Sequence, residues 1–549
     1  MQKNGKFSEN SRINIVIENI LDELCPFLEE QAREISELTA IGKALGKGKD
    51  ISALLKMILS IARRFSKADG GTLYLVDQNK KKLDFHVFHN DSLNIDGEAG
   101  RIDLKGVPLY HDDNTPNLSN VSSYVFHTGE IVNIEDVYKT NQFLFNGTRK
   151  FDEALNYRSK SMVVIPMRNH EDDIIGILQL INSKEPCSQN IIPFSKDVQE
   201  KAAALASQAS VVLTQQRLIV EMKELFEAFI KAIAVSIDEK SKHTGGHIQR
   251  VTELCIMIAK KINENNTLFK NNHLSDDQMD ELRIAALMHD TGKITTPDHI
   301  ISKSSRLETV FDRIELIRTR FDLFKTNLRL MAVQKKLALL DHSDKKEEMN
   351  RVDSIYTKKI ESLEKEMMVL STINSSKVPV DQALIDQLED INEKSCEVSG
   401  VPYLTEDEFE NLCIIKGTLT ERERDTINSH ARLTEKILNK LPWPKKLSEI
   451  PSIAGAHHEK LDGSGYPLHL NKENINTQAR ILAIADIFEA LCAKDRPYKK
   501  SMTLSETITV LKQMGENHLI DKDIVNLFFE SGVHIEYAKR HLSPEQIDL

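Results

Sequence analysis

The chain has 549 residues, room for about three domains at the usual 100–200 residues each, and a formal net charge of −11. That charge argues against a protein built mainly to grip nucleic-acid backbone, although a local basic pocket can still hold a small anion. Six cysteines, at 25, 187, 255, 396, 413 and 492, form no CxxC pair, which fits reduced thiols better than a disulfide framework.

The opening stretch "MQKNGKFSENSRINIVIENIL" is polar, carries acids and lacks a continuous apolar core, so no secretory signal is predicted. No apolar run approaches the ~18 residues of a membrane span, and a soluble cytoplasmic protein is the expectation. Apolar positions at helical spacing in "INIVIENILDELCPFLEEQ" and "ISALLKMILSIARRF", broken by "GKALGKGKD", predict helices, the first within an N-terminal segment 1–34. From Gly71 the pattern changes to short β-type runs: "GTLYLV", "KLDFHVF", "EIVNI", "SMVVIPM" and "IIGILQLIN", separated by polar turns. An antiparallel sheet with flanking helices is implied. A long helical tract over 196–240 then reads as a connecting, signalling helix.

Beyond about 225 β-type runs are scarce and an all-α unit is predicted. Within it, Ile314, Ile317, Phe321, Phe324, Leu328 and Met331 alternate in steps of three and four, the seam of a coiled coil. Tyr356, Ile360, Leu363, Met367 and Leu370 repeat the pattern, and the polar "DHSDKKEEMNR" between them predicts a turn and hence an antiparallel hairpin.

The residues that carry chemistry lie around that hairpin. In "AALMHDTGKI" an apolar helical run ends in His289-Asp290, with Lys293 free to meet a phosphate oxygen. An HD dipeptide alone is an ordinary helix end. Its company is less ordinary: His247 in "KHTGGHIQRVTEL", His430 in "INSHARLTEKIL", the pair His457-His458, and Asp486 in "ILAIADIFEAL". Five imidazoles and two carboxylates on one helical unit suit two close transition-metal ions such as Fe or Mn, and two such ions can activate water against a phosphodiester.

In order along the chain, His247, His289-Asp290 with Lys293, His430, "HHEKLDGSGYP" and Asp486 followed by "DRPYK" resemble the HD-GYP family. This is a subgroup of the HD-domain phosphohydrolases that linearises the second messenger cyclic di-GMP. The resemblance covers about 225–310 and 416–545. It implies that His247, His289, Asp290, His430, His457, His458 and Asp486 are metal ligands, with Asp290 bridging. It implies further that Lys293 contacts the scissile phosphate, that Arg496 and Lys499 hold substrate phosphates and guanine edges, and that Tyr466 belongs to a pocket loop which also meets signalling partners. Some members hold a third metal through an acid one turn before the first histidine, and His243 is the candidate for that place here. His289 and His430 are 141 residues apart, much farther than in the family, because a helical hairpin is inserted over about 307–415.

The first half resembles a GAF domain, a small-ligand sensor, over about 35–215, through "AIGKALGKGKDISALLKMILSIARRFSKADGGTLYLVD", "VFHTGEIVNIEDV", "RSKSMVVIPM" and "IIGILQLINSK". Asn182, Lys184, Phe194 and Asp197 loosely match a set found in cyclic-nucleotide-binding GAF domains, with Val198 replacing an acid. The expectation is a multidomain α+β protein: an N-terminal segment 1–34, a GAF sensor 35–215, a connecting helix 196–240 and an all-α HD-GYP domain 225–549 interrupted at 307–415. The expected activity is hydrolysis of cyclic di-GMP to pGpG, GMP or both, by a homodimer under GAF control. Alternatives are hydrolysis of another cyclic dinucleotide or phosphodiester, and a non-catalytic receptor. No nucleic-acid polymer or membrane partner is expected.

Overall fold

A computed structural model of the chain describes residues 51–549 apart from 78, 99–105, 186–187, 241–245, 271, 341–344 and 494–500, together with residues 24 and 32. The expected segment 1–34 thus falls almost wholly outside the described residues, as do His243, Arg496 and Lys499. The chain divides into two compact units, Met1–Leu225 and Phe226–Leu549.

The first unit is built on an antiparallel sheet of eight strands: β1 (Ala68–Val76), β2 (Lys82–Asn90), β3 (Ile95–Glu98), β4 (Val107–Pro108), β5 (Val132–Ile134), β6 (Met162–Arg168), β7 (Ile174–Lys184) and β8 (Ile191–Ile192). The spatial order is β3-β2-β1-β7-β6-β5, with β4 beside β2 and β8 beside β7. The five strands expected from alternation are present. β3, β4 and β8, of four, two and two residues, are too short for a period of two to register.

Alternation divides the sheet's side chains between two cores. Leu73, Val163, Ile165, Met167, Leu178 and Leu180 face helix α1 (Ile51–Ser66) and the first part of the long helix α4 (Lys196–Lys240), where Ala202, Leu205 and Ala209 join them. Tyr74, Met162, Val164 and Ile177 face the other way, against α2 (Val121–Thr128) and the segment that leads into α3 (Asn146–Leu155). Gly71 lets α1 approach closely, because a Cβ there would lie 2.8 Å from Leu59 Cδ1. The loose ligand set is used by the fold itself. The Asn182 amide bonds Lys160 N, Arg158 O and the Tyr157 hydroxyl, Lys184 pairs with Asp69, Phe194 is buried, and Asp197 pairs with Lys201 at 3.3 Å.

The second unit is helical. Around one core stand the end of α4, α5 (His247–Glu264), α6 (Asp276–Met288), and, after an insertion, α11 (Glu421–Leu438), α12 (Ile450–Gly455), α13 (Thr477–Cys492), α14 (Leu504–Glu516), α15 (Lys522–Glu530) and α16 (Val533–His541). The insertion has a separate core. Its hairpin is α7 (Ile314–Ala338) and α8 (Lys345–Asn374), packed through Ile314, Ile317, Phe321, Phe324 and Leu328 against Tyr356, Leu363 and Leu370. It is more than the expected hairpin, because α9 (Gln382–Asn392) and α10 (Glu406–Leu412) close its base. Arg306, 1% exposed, donates to the carbonyls of Ile373, Ser375, Val378 and Ile414, so both ends of the inserted tract meet at one guanidinium.

Asp69 is the centre of a buried polar cluster in the first unit. It is 2% exposed and accepts from Lys184 Nζ at 2.5 Å, the Tyr157 hydroxyl at 2.6 Å and Ser92 Oγ at 2.7 Å. Burial alone would raise its carboxyl, but these three donors hold it below the ordinary value. Removing it strands Lys184, and Asp69→Ala is expected to cost about 3 kcal/mol at pH 7, roughly 6 °C or more in the melting transition of this unit by calorimetry. Because the native carboxyl is depressed, its contribution is complete above the unfolded value near ~4 and is lost as pH falls through the native one. The gap between variant and parent therefore narrows in acid.

Candidate metal centre

Five helices bring the sequence-expected residues together. His247 is the first residue of α5, and His289 caps α6 just before Asp290 and the short 3-10 turn Thr291–Thr295. His430 sits inside α11, His457 and His458 follow α12, and Asp486 lies within α13. All but His458 are at most 8% exposed.

The Asp290 carboxylate lies between two groups. Its Oδ2 is 3.4 Å from His289 Nε2 and 3.8 Å from His247 Nε2, and its Oδ1 is 3.5 Å from His430 Nε2. On the Oδ2 side, Asp486 Oδ1 is 3.3 Å from His247 Nε2 and 3.9 Å from His289 Nε2. On the other, His430 Nε2 is 3.4 Å from His457 Nε2, and the His458 ring lies 4.0 Å from that of His457. His247, His289 and Asp486, and likewise His430, His457 and His458, each offer ligand atoms that lie within 4.8 Å of one another.

Hydrogen bonding fixes how the rings present themselves. Nδ1 of His289, His430 and His457 lies 2.8, 2.6 and 2.6 Å from the carbonyl oxygens of Ala286, Ile427 and Ala454, each three residues earlier. A carbonyl only accepts, so each Nδ1 carries the proton and each Nε2 turns a lone pair into the cluster. Burial, reinforced by the neighbouring rings, holds His457 well below its ordinary pKa. Burial likewise takes His458 down to about 4 and lowers His430, so all three are neutral near pH 7, the state in which imidazole ligates. Burial opposes ionisation of Asp290 and Asp486, yet Lys293 and the imidazoles around Asp290, and His247 beside Asp486, keep both well below the carboxylate range. His247 differs. Burial would lower it, but Asp486 and Glu489 raise it to about 10, so its Nε2 proton has to leave before that nitrogen can serve as a ligand.

This donor set fits divalent metal ions. Two donors about 2.1 Å from a shared ion and separated by 90–110° lie roughly 3.0–3.4 Å apart, and the donor pairs here are 3.3 to 3.9 Å apart. His289 Nε2 is fully buried with no hydrogen-bond partner among the described residues, an arrangement that is costly unless a ligand meets it. Imidazole nitrogen mixed with carboxylate oxygen is the chemistry of first-row transition metals.

Several supporting residues escaped sequence reasoning. Glu489 is 1% exposed, stands three residues after Asp486 on α13, and accepts from His247 Nδ1 at 2.5 Å and Arg250 Nε at 2.7 Å. Its spacing from Asp486, which puts both on one helix face, was the available signal. Thr434 receives Gly292 N at 2.8 Å and donates to His289 O at 2.9 Å, joining the HD turn to α11. Gly292 permits that approach, since a Cβ would lie 2.0 Å from His430 O. Glu459 accepts from Leu468 N at 2.6 Å and Leu470 N at 3.0 Å, closing the Gly-Tyr-Pro loop, and Tyr466 stands with its ring 4.8 Å from His458. Lys293 reaches Asp290 Oδ2 at 2.6 Å with 27% of its side chain exposed, at the mouth of the cluster.

Glu489→Gln keeps the size of the side chain and withdraws the charge that orients His247. Metal affinity of the full chain is expected to fall about 10- to 100-fold, read by chelator competition and elemental analysis, with the helical circular dichroism unchanged.

Comparison with known proteins accords with this architecture. Residues 50–213 match the GAF domain family model, and residues 244–371 and 402–524 match two HD domain models. The chain is 43% identical over 97 residues to 3'3'-cGAMP-specific phosphodiesterase 3 of Vibrio cholerae serotype O1, covering 18% of this chain and 20% of that protein. It is 51% identical over 80 residues to 3'3'-cGAMP-specific phosphodiesterase 1 of the same organism, covering 15% and 18%. A probable cyclic di-GMP phosphodiesterase from that source is 33% identical over 144 residues, covering 25% and 32%. The chain thus spans 18 to 32% of the length of these curated relatives. It carries a GAF domain match followed by HD domain matches, and the HD pair, the histidines and the Gly-Tyr-Pro loop on one helical unit give that C-terminal region its likeness to the HD-GYP type.

Proposed function

We propose that the protein is a metal-dependent phosphodiesterase that hydrolyses cyclic di-GMP to pGpG, GMP or both, under the control of its GAF domain. The observation that carries the reading is the pair of ligand-atom groups with one carboxylate, Asp290, between them, its Oδ2 3.4 Å from His289 Nε2 and its Oδ1 3.5 Å from His430 Nε2, and the Lys293 ammonium at the opening. His247, His289, Asp290 and Asp486 would hold one ion, and His430, His457, His458 and Asp290 a second, with Fe or Mn the best match to the donors. His243 is retained as the proposed ligand of a third. When bound, the ions supply Lewis-acid activation of water and of phosphate oxygen. The chain supplies the rest: Lys293 neutralises charge that develops on the phosphate, and the Tyr466 loop walls the pocket beside His458. Arg496 and Lys499 are proposed to hold the outer phosphates and base edges. All seven expected ligands are present in the sequence, which favours an enzyme over a non-catalytic receptor.

A second reading, 3'3'-cGAMP as the preferred substrate, is favoured by the names of the relatives at 43% and 51% identity. Full chain purified without oxygen, supplied with each dinucleotide separately and followed by product chromatography, tests both. Linear product from cyclic di-GMP is expected, falling by roughly 10³-fold or more in His289→Ala or Asp290→Ala, as loss of several kcal/mol of charge stabilisation requires. Product from 3'3'-cGAMP alone would move the assignment to the second reading. Metal-loaded protein inert to both would end both.

For the sensor we propose a small anionic ligand, a cyclic nucleotide by the GAF resemblance, in the cleft of about 850 Å³ bordered by Arg63, Lys67, Asp69 and Lys184. A shift in the melting of the full chain with cAMP or cGMP is the expected result, and no shift with either removes the cyclic-nucleotide assignment. Leu218, Met222, Leu225 and Phe229, exposed at steps of four, three and four along α4, support a homodimer, and the Gly-Tyr-Pro loop, with Leu468 55% exposed, is the proposed partner contact. No described helix is long and apolar enough to cross a membrane. Cys255, Cys396, Cys413 and Cys492 are all free thiols, which favours a reducing cytoplasmic setting.

A further inference from the structure

Helix α7 carries two apolar seams. Ile314, Ile317, Phe321, Phe324 and Leu328 are buried in the hairpin. A second set, Leu316, Leu323, Leu330 and Leu337, recurs every seven residues, with Val333 at an intervening heptad position and Leu340 just beyond the helix end; these six side chains are 48 to 60% exposed. At about 100° per residue the two seams lie roughly 150° apart, on opposite sides of the helix. A repeat of seven kept over four turns of the pattern keeps an apolar edge aligned along a supercoiled partner helix.

The flanking charges select the partner and its direction. Along one side of the outer seam stand Glu315, Asp322, Arg329 and Lys336, acidic in the first half and basic in the second. Such a row complements itself when reversed. In an antiparallel pair related by a two-fold axis, Glu315 meets Lys336 of the partner subunit and Asp322 meets Arg329 of the partner subunit, each contact occurring twice. The leucine layers fall into register with them, Leu316 against Val333 of the partner subunit and Leu323 against Thr326 of the partner subunit. A parallel pair would instead rely on Arg320, which is already committed within its own chain to Glu408 at 2.8 and 3.0 Å and to Tyr403 O at 2.7 Å. The present partners of the row are solvent-exposed pairs: Asp322 with Lys325 and Glu315 with Arg318 lie within one helix, and Lys336 reaches Asp353 of α8 at 2.7 Å, with the three acids 55 to 65% exposed.

We propose that the inserted hairpin is a self-association surface: the outer leucine seam of α7 pairs antiparallel with the same seam of a second copy of this chain. The proposal is independent of the phosphodiesterase reading.

Disulfide trapping in the full chain tests it. Positions 316 and 333 are about 25 Å apart along one helix and cannot join within a chain. Mild oxidation of Leu316→Cys/Val333→Cys should give a covalent dimer about tenfold above either single variant and above the unsubstituted chain, which sets the background from native thiols. Asp322→Arg added to that pair should lower the yield several-fold, and Asp322→Arg with Arg329→Asp should restore it. All of these positions face solvent, so folding is retained. Efficient trapping of either single variant, a double variant no better than the unsubstituted chain, or failure of the exchanged charges to restore the yield overturns the proposal.

Discussion

The second unit depends on a single carboxylate serving two clusters of nitrogen. Asp290 is 3% exposed and keeps its charge, although burial opposes it, because Lys293 and three imidazoles stand around it. Two oxygens on one carbon are little more than 2 Å apart, so the groups facing Oδ1 and Oδ2 have to approach from opposite sides. That requirement sets where α5 and α13 stand relative to α11 and α12. Electrostatics alone would leave the rings free to turn. The carbonyls that hold Nδ1 of His289, His430 and His457 remove this freedom, and their placement three residues back makes the orientation a property of the local backbone rather than of distant packing.

A second layer of contacts makes the cluster tolerant of a long detour in the chain. Thr434 bonds both the amide of Gly292 and the carbonyl of His289, so α11 is fastened to the HD turn directly. Whatever lies between these segments in sequence has only to return the chain to the same place. Lys303 and Arg306 show how it does so. Lys303 is held by Glu423 at 2.8 Å and by Asn411 at 2.7 Å, and Arg306, at the start of the insertion, takes carbonyls from the end of the hairpin and from the end of the tract. The Gly-Tyr-Pro loop uses the same device on a smaller scale. Glu459 sits beside the histidine pair and holds the loop through two amides, while Gly465 lets the loop backbone pass where a Cβ would lie 2.3 Å from Lys460 N.

Residues whose type alone announces their chemistry were legible in the sequence: the five histidines, the two aspartates and Lys293. So were the seams of α7 and α8, where the heptad pattern is a direct image of packing, and the long strands β1, β2, β6 and β7. Glu489 and Thr434 were not singled out, because a glutamate or threonine in a helical stretch looks the same whether it faces water or a histidine. Their partners are 242 and 142 residues away, and only tertiary packing reveals them; Glu459 was part of the quoted motif, but its hold on the loop amides nine and eleven residues on was not read from it. Arg306 was overlooked for a related reason, since an arginine in a polar stretch is by default a surface residue. The closure of the insertion by α9 and α10 was hidden because short helices of 11 and seven residues carry too few turns to declare an apolar face.

The four carbonyls collected by Arg306 define what kind of part the insertion is. All four, from Ile373, Ser375, Val378 and Ile414, belong to the inserted tract, whereas the guanidinium belongs to the segment that leads into it. The lock is therefore split across the junction. Excision of the whole tract leaves a buried cation without these acceptors, and the tract moved to another protein without Arg306 arrives with bare carbonyls at its foot. The unit that can be lost, gained or grafted intact runs from Lys303 to Glu423, so exchange of such an insertion between relatives is expected to carry its arginine with it.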